Sequence, residues 1–258
     1  MDTSYTLITG ASSGIGLALA KQFASQKHNL ILVARRKTKL TEAATLLRKE
    51  GIKVQTFTAD LATNDGAQKL YQEIKEKNLC VDTLVNNAGR GNAGEFCEQD
   101  HEQMQGTMQL NMVSMTVLTR LFLDDMKRAK HGYILNIASV AAFMPGPGFA
   151  IYHATKAFVL SLSEALNNEL QGTGISVTAS CPGPTESEFH QHADTADLKP
   201  FKLISLMTAE QVAQEAYQAM KGRKSFVIHG LMNQVMTSTP KILPRKFVTA
   251  LVRRVMTK

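Results

Sequence analysis

Short apolar runs alternate with longer amphipathic segments along the whole chain. Seven of the short runs have strand length, and the run at residues 30–34 is apolar at every position. Strands that are covered on both faces show this lack of alternation, whereas half-exposed strands alternate. The predicted strands span residues 5–9, 30–34, 53–58, 81–86, 132–139, 174–181 and 225–229.

Helix-length segments separate the predicted strands, and the last of them opens with a start signal. Thr208 and Gln211 stand three positions apart, which is the spacing of a capping box. A chain that alternates strand and helix needs right-handed crossovers, so its strands form a parallel sheet with helices on both faces. The predicted helices span residues 15–27, 37–50, 65–77, 100–130, 152–172 and 208–221. The pattern therefore predicts one doubly wound α/β domain over residues 1–240, with about seven strands.

The positive charge is concentrated at one end of the chain. The 258 residues include 29 Lys and Arg against 22 Asp and Glu, a net charge of +7. Residues 241–258 hold six of these cations and no acid, so the rest of the chain balances 23 cations against 22 acids and has a net charge of +1. A nucleic-acid-binding domain spreads its basic residues over a binding face. We therefore expect no nucleic-acid partner, and a nearly neutral body followed by a basic tail at 241–258.

The remaining composition indicates a reducing compartment. Cys80, Cys97 and Cys181 form neither a C-x-x-C pair nor an even disulfide set, which favours free, buried thiols. The longest uncharged stretch, residues 132–155, contains Asn, Pro and Gly and is not expected to span a membrane. No leader pattern precedes the first predicted strand. These features predict a cytoplasmic protein, and no set of residues has the spacing of a metal site.

A glycine-rich turn follows the first predicted strand. Glycines at such a turn let the backbone approach a pyrophosphate, and the start of the next helix offers unpaired N–H groups and the positive end of its dipole. Taken alone, such a turn is a tight connection without a ligand about as often as it is a phosphate-binding turn. The spacing is G-x-x-x-G-x-G, in the sequence Gly10-Ala11-Ser12-Ser13-Gly14-Ile15-Gly16.

A tyrosine, a lysine and a serine have positions that suit proton transfer. Tyr152 and Lys156 stand four residues apart, which places both side chains on one face of a helix. An ammonium about 4 Å from a phenol contributes on the order of 4 kcal/mol at an effective dielectric of about 20, so we expect the pKa of Tyr152 to fall from about 10 to near 7. Ser139, at the end of a predicted strand, can donate its hydroxyl to a carbonyl oxygen that gains charge. An isolated Y-x-x-x-K pair more often means two surface residues, so the interpretation depends on the neighbouring motifs.

Taken together, these motifs resemble those of the short-chain dehydrogenase/reductase family. The motifs besides the glycine turn are Asn86-Asn87-Ala88-Gly89 at the end of the fourth predicted strand, Tyr152-x-x-x-Lys156 at a helix start, and Pro182-Gly183 after the sixth strand. The resemblance extends from about residue 6 to about residue 228. It implies a Rossmann-type fold, a nicotinamide cofactor, and hydride transfer between that cofactor and a carbonyl or alcohol.

The resemblance also implies roles for individual residues. Asn111 would hold a water that relays protons through Lys156, beside Ser139 and Tyr152. Asp60 and Leu61 match an adenine-binding pair. The residues implied for cofactor binding are Gly10, Ser12, Ser13, Gly14, Ile15, Gly16, Asp60, Leu61, Asn87, Ala88, Gly89, Tyr152, Lys156, Pro182, Gly183 and Thr185, the last matching a residue that holds the nicotinamide carboxamide.

The end of the second strand indicates which nicotinamide cofactor to expect. An acidic residue there accepts hydrogen bonds from the ribose 2′-hydroxyl, whereas a basic residue pairs with a 2′-phosphate. The chain has Arg35, Arg36 and Lys37 after Ala34, with no acid nearby. A basic loop that only contacts solvent would be unusual here, because cations are disfavoured at a helix start. Arg, in contrast, suits a bidentate phosphate contact. We therefore expect NADP(H), bound through Arg35 and Arg36.

Apolar residues surround the expected substrate site. The predicted substrate contacts are Ser139, Ala141, Phe143, Met144, Phe149 and Phe189. Residues 186–207 lie where the resembling family keeps a mobile lid, and they mix apolar with charged side chains. We therefore expect an apolar carbonyl compound or secondary alcohol as substrate.

The tail allows several interpretations. As a helix from Arg245, it places Phe247, Val248, Leu251, Val252, Val255 and Met256 on one side and Lys246, Thr249, Arg253 and Thr257 on the other. Such a basic amphipathic helix docks on its own domain or on a partner subunit, or lies on a membrane surface. An acidic carrier protein with an acyl chain is a further partner to consider.

The sequence thus predicts an NADP(H)-dependent oxidoreductase with Tyr152 as general acid, in a homodimer or homotetramer. Two alternatives stay open: a catalytically idle NADP-binding sensor or scaffold with the same fold, and a membrane-associated lipid carbonyl reductase. The joint presence of Asn111, Ser139, Tyr152 and Lys156 argues against the idle alternative.

Overall fold

The computed structural model describes residues 4–185 and 207–256. Within these residues, parallel strands form one seven-stranded sheet in the order β3-β2-β1-β4-β5-β6-β7. The strands are Ser4–Thr9 (β1), Asn29–Ala34 (β2), Val54–Thr58 (β3), Cys80–Asn86 (β4), Gly132–Ile137 (β5), Ile175–Cys181 (β6) and Phe226–Ile228 (β7). The chain adds β2 and β3 on one side of β1 and then places β4 on its other side, so the switch point lies between β1 and β4. The predicted doubly wound parallel sheet is confirmed.

Helices cover both faces of this sheet. They are Gly14–Ser25 (α1), Lys37–Arg48 (α2), Gly66–Glu76 (α3), His101–Met108 (α4), Met115–Ala129 (α5), Ala150–Glu169 (α6), Ala209–Lys221 (α7), Leu231–Ile242 (α8) and Arg245–Met256 (α9). At the start of α7, the Thr208 hydroxyl accepts from the Gln211 N–H (3.2 Å) and the Gln211 side chain accepts from the Thr208 N–H (3.0 Å). The predicted capping box is therefore confirmed.

Alternate residues of the central strands face two separate apolar layers. Leu30 and Leu32 of β2 pack with residues of α1, α2 and α7, whereas Ile31 and Val33 of the same strand pack with residues of α3 and α5. Successive strand residues point to opposite faces, so a strand covered on both sides is apolar at every position. The unbroken apolar run of β2 reflects this double covering.

Several local features differ from the sequence prediction. The long helix predicted over residues 100–130 contains a π-helical segment, Gln109–Ser114, between α4 and α5. Helix α8 had no counterpart among the predicted helices. The expectation that all the cysteines are buried is wrong, because Cys80 and Cys97 are exposed and only Cys181 of the three is buried.

The tail packs on its own domain along one side of α9. Val248 is 3% exposed. The Arg253 guanidinium Nη2 lies 3.8 Å from the carboxylate Oε1 of Glu95, on the loop after β4. The inward side of α9 therefore contacts the chain's own domain. In the described part of the chain, no helix is both long enough and apolar enough to cross a bilayer.

Candidate active site

The glycine turn between β1 and α1 is fixed against the end of β4. Gly10 and Gly14 have positive φ angles of 66° and 52°, which favour glycine. A Cβ on Gly16 would lie 2.2 Å from the Gly10 carbonyl oxygen, so this close approach requires glycine. The Thr9 hydroxyl at the end of β1 accepts hydrogen bonds from two successive backbone N–H groups that follow β4, both at 3.0 Å. The two strand ends beside the switch point are thereby joined.

A cleft of about 780 Å³ opens at the carboxyl ends of the strands. Every residue that the sequence analysis assigns to the cofactor lies in the lining of this cleft. They come from the glycine turn, the ends of β2 and β4, the loops after β3 and β6, and α6. Ligands of doubly wound sheets bind at this position, so the sequence motifs and the cleft coincide.

The entrance to α1 has the features of a phosphate site. Ser13 is the N-cap residue, yet its side chain makes no capping bond to the first turn of α1. The first N–H groups of this helix therefore have no side-chain cap. Arg36 donates to the Ser13 hydroxyl at 3.4 Å, and Arg35 also lines the cleft. Two guanidinium groups near an uncapped helix start fit a dinucleotide that has an additional phosphate.

Tyr152 and Ser139 both line the cleft, and the Ser139 hydroxyl acts on the phenol as a hydrogen-bonding neighbour that lowers its pKa. The Ser139 hydroxyl also accepts from the Ala141 N–H (3.1 Å) and donates to the Pro182 carbonyl oxygen (3.4 Å). The Phe149 ring stacks on the Tyr152 ring, with centroids 4.5 Å apart. The two hydroxyl groups are thus held in a fixed place within an apolar wall.

Lys156 is buried one helical turn after Tyr152 on α6. Its ammonium donates to the carbonyl oxygen of Ile137 at the end of β5, at 2.7 Å. The same nitrogen lies 5.7 Å from the centroid of the Tyr152 ring. Burial lowers the pKa of Lys156 to about 8.

The prediction that Lys156 brings the pKa of Tyr152 near 7 is wrong. Burial of the phenol is the larger effect and raises the pKa of Tyr152 to about 12, while the hydrogen bond with Ser139 opposes it. The prediction failed because it placed the ammonium about 4 Å from the phenol and ignored the burial of both groups. A phenol with this pKa is protonated at neutral pH, which is the state that a proton donor requires.

Asn111 lies in the π-helical segment and is buried behind the cleft wall. Its amide group donates to the Arg90 carbonyl oxygen (2.8 Å) and to the Thr155 hydroxyl (3.0 Å). Its side-chain oxygen accepts from the Arg90 N–H (3.0 Å). Asn111 therefore joins the loop after β4 to the start of α6, and its part in a proton relay stays a prediction.

A second buried amide network positions α6. Asn136 of β5 donates to the Ser163 hydroxyl of α6 (2.9 Å) and accepts from the Asn86 side chain of β4 (2.9 Å). Unpaired polar groups are costly in a protein interior, so such bonds fix the position of the helix. Because α6 provides both Tyr152 and Lys156, the network also fixes the height of these side chains over the sheet.

The substrate end of the cleft is largely apolar. Ala141, Met144 and Phe149 belong to its lining. Phe143 does not belong to the lining: its ring faces Phe226, with centroids 6.3 Å apart, and its contact with substrate stays a prediction. Phe189 lies with residues 186–206, outside the described residues.

Sequence reasoning missed residues from three elements that line the cleft. Met236 of α8 and Val252 of α9 belong to the lining, although both helices follow the last strand. Arg90, directly after the glycine that ends the β4 motif, also lines the cleft and donates to the Thr107 hydroxyl at 3.2 Å. Its place in the motif was a usable signal, whereas Met236 and Val252 reach the site only through tertiary packing.

Comparison with known proteins finds relatives along most of the chain. The family model described as short chain dehydrogenase matches residues 4–197. A ketoacyl reductase of Nostoc sp. is 30% identical over 238 residues, which is 92% of this chain and 82% of the relative. Among solved structures, a short-chain dehydrogenase from Sphingobium yanoikuyae in complex with NADPH is 32% identical and superposes with a TM-score of 0.82, covering 94% of this chain and 97% of that one. The bulky-bulky ketone specific alcohol dehydrogenase from Comamonas testosteroni is 30% identical, with a TM-score of 0.78 and coverage of 95% and 96%.

Proposed function

The chain belongs to the short-chain dehydrogenase/reductase family and is an NADP(H)-dependent oxidoreductase of C=O and CH–OH groups, and from this premise we propose that Tyr152 is its general acid and that its substrate is an apolar ketone. One observation supports this proposal above the others. The side chains of Tyr152 and Ser139 line the same cleft as the glycine turn and the two guanidinium groups.

Each residue of the site has a chemical task in the reductive direction. Bound NADPH supplies the hydride that is added to the carbonyl carbon. Ser139 donates a hydrogen bond to the carbonyl oxygen and so stabilises the negative charge that develops there. Tyr152 gives its proton to that oxygen, which completes the alcohol. Lys156 stabilises the phenolate that remains, and Asn111 orients the water through which the proton is replaced.

The walls of the cleft support an apolar substrate. Met144 and Phe149 line it from the loop after β5 and the start of α6, and Met236 and Val252 line it from the C-terminal helices. Burial of apolar surface is the main source of affinity for a substrate without charge. The names of two relatives fit an apolar substrate: one is a ketoacyl reductase and the other a bulky-bulky ketone specific alcohol dehydrogenase.

The substitution Tyr152→Phe tests the proposed acid. We expect the rate of NADPH oxidation with an apolar ketone to fall at least about 100-fold, because a positioned general acid contributes on this scale. Binding of NADPH, measured by its fluorescence, should stay unchanged. Tyr71→Phe is the matched control, since that phenol donates to Asp125 at 3.2 Å and does not line the cleft.

Two outcomes would overturn this proposal. An unchanged rate in Tyr152→Phe removes Tyr152 from the mechanism. Tight NADPH binding by the wild-type protein without turnover of any ketone or aldehyde in a broad panel favours the idle sensor instead. Turnover of small charged carbonyl compounds alone would refute the apolar substrate while leaving the acid in place.

The substitution Arg35→Gln tests the contact with the 2′-phosphate. Hydrogen bonds to charged groups contribute about 1.5–3 kcal/mol, so kcat/KM for NADPH should fall about 10- to 100-fold. The rate with NADH serves as the internal control and should change little. Equal losses with both cofactors would place Arg35 away from the phosphate.

We also propose a homo-oligomer, and light scattering on the purified protein decides its subunit number.

A further inference from the structure

Helix α8 turns two of its polar side chains toward the domain and several of its apolar side chains outward. The Asn233 side chain donates to the His229 carbonyl oxygen at 2.7 Å, and the buried Thr237 hydroxyl donates to the Asn233 carbonyl oxygen at 2.9 Å. On the opposite side, Leu231 is 81% exposed and Met232 is 66% exposed. A helix on the surface of a water-soluble domain normally shows the reverse arrangement.

Helix α9 continues this outward apolar surface. Val248 and Val252 face the domain, the first buried and the second in the cleft lining. Phe247 and Leu251, one helical turn apart, are 58% and 48% exposed. We call the exposed large apolar side chains of both helices and of their connection that do not line the cleft the α8–α9 surface; they are Leu231, Met232, Val235, Leu243, Phe247 and Leu251.

The helices that carry this surface also carry exposed cations. Arg245, Lys246 and Arg254 of α9 are all exposed. Residues 230–258 include six Lys and Arg and no Asp or Glu. An apolar face with basic neighbours and no acid is the composition of a helix that lies in the interface of an anionic bilayer.

We propose that the α8–α9 surface binds a membrane surface that contains anionic lipid. The charge pattern favours this occupant over a second copy of the chain. An isologous dimer through this surface would bring the same cations of both copies together, with no acid from either helix to pair with them. A lipid bilayer with negative headgroups instead provides opposite charge at the rim and an apolar layer for Phe247, Leu251 and Leu231.

This orientation has a consequence for the cleft. Met236 and Val252 line the cleft from the same two helices that form the α8–α9 surface. Membrane contact would therefore place the cleft near the bilayer, where apolar ketones concentrate. The membrane contact itself goes beyond the proposed function and does not depend on it, because vesicle binding is measured without any substrate.

Co-sedimentation of the full-length protein with vesicles tests the proposal. We expect the protein to pellet with phosphatidylcholine vesicles that contain phosphatidylglycerol and to stay in solution with phosphatidylcholine alone. The triple variant Arg245→Gln/Lys246→Gln/Arg254→Gln should bind about 100-fold more weakly, at about fivefold per cation. The matched triple variant Lys49→Gln/Lys53→Gln/Lys127→Gln removes three exposed cations elsewhere and should bind as the wild type does. Raised salt should weaken binding of the wild type.

A second pair of variants tests the apolar contact. Leu251→Glu should abolish vesicle binding, whereas Leu46→Glu on α2 is the matched control, because Leu46 is 46% exposed and undergoes the same change. Circular dichroism melting of both variants checks that they are folded. No binding of the folded wild-type protein to anionic vesicles at low salt overturns the proposal, and so does equal binding by Leu251→Glu and Leu46→Glu. A wild-type dimer that Leu251→Glu dissociates, without vesicle binding, would assign the surface to a second copy.

Discussion

Replacing Lys156 by methionine should stabilise the fold while it destroys the site. Lys156 is 6% exposed, and burial lowers the pKa of its ammonium from 10.5 to about 8. One pKa unit corresponds to about 1.4 kcal/mol, so a charged Lys156 at neutral pH costs the native state about 3 kcal/mol. Methionine is unbranched, similar in length and uncharged, so it removes this cost without leaving a large cavity.

The hydrogen bond from Lys156 to Ile137 offsets part of this gain. The bond is 2.7 Å long and has a charged donor. Such bonds contribute about 1.5–3 kcal/mol, and Lys156→Met removes this contribution. We therefore expect a net stabilisation of about 1 kcal/mol at neutral pH.

The pH dependence separates the buried charge from other effects of the substitution. Because the pKa of Lys156 is lowered in the native state, the unfolded chain binds more protons between about pH 8 and pH 10.5. The wild-type protein therefore loses its penalty as pH rises through this window, while the variant has no penalty to lose. The difference between the two proteins should therefore change by about 2 kcal/mol, from an advantage of about 1 kcal/mol for Lys156→Met at neutral pH to a disadvantage of about 1 kcal/mol by about pH 9.5.

Urea denaturation of both proteins at neutral pH and at about pH 9.5 measures this difference. Lys127→Met is the matched control: Lys127 of α5 is exposed, so its replacement should change the free energy of unfolding equally at both pH values. A Lys156→Met protein that is less stable than wild type at neutral pH, by an amount that does not vary with pH, would refute the buried-charge argument.

Two further substitutions and one labelling reaction have defined outcomes. Gly16→Ala should weaken NADPH binding at least about tenfold in a fluorescence titration, because its Cβ would meet the Gly10 carbonyl oxygen at 2.2 Å. Thr9→Val should lower the free energy of unfolding by about 2 kcal/mol in urea, since it leaves the Ala88 N–H without its acceptor and removes one of the two acceptors of the Asn87 N–H. In the native protein at neutral pH, iodoacetamide should modify the exposed Cys97 and spare Cys181, which is buried and whose thiol pKa burial raises to about 12. Peptide mass spectrometry distinguishes the two cysteines, and equal modification would contradict the burial of Cys181.

The sheet was predictable because its signals are local. A strand such as β2 shows its double covering in its own unbroken apolar run, and the alternation of strands with helices fixes the handedness of the crossovers. The glycine turn and the Tyr152–Lys156 pair were predictable from their spacing together with their places among the other motifs, since neither pattern is specific when it stands alone.

The parts that the sequence did not predict depend on tertiary packing. Helix α8 was missed because Asn233 and Thr237 face the domain while its apolar residues face outward, which reverses the expected pattern. The π-helical segment holds Asn111, whose side chain bonds Arg90 and Thr155, and these partners lie far away in sequence. The pKa of Tyr152 depends on burial, which spacing does not reveal.

The two pKa values that sequence reasoning did not foresee give the proposed proton relay its direction. With a pKa near 7 for the phenol and above 10 for the ammonium, the return of a proton from Lys156 to the Tyr152 phenolate would be uphill. The structure has the opposite order, about 12 for Tyr152 and about 8 for Lys156. Transfer of a proton from the side of Lys156 to a Tyr152 phenolate is downhill in this order, which is the direction that the proposed relay requires. The burial that destabilises the native state at neutral pH is thus the same property that prepares Tyr152 for the next turnover.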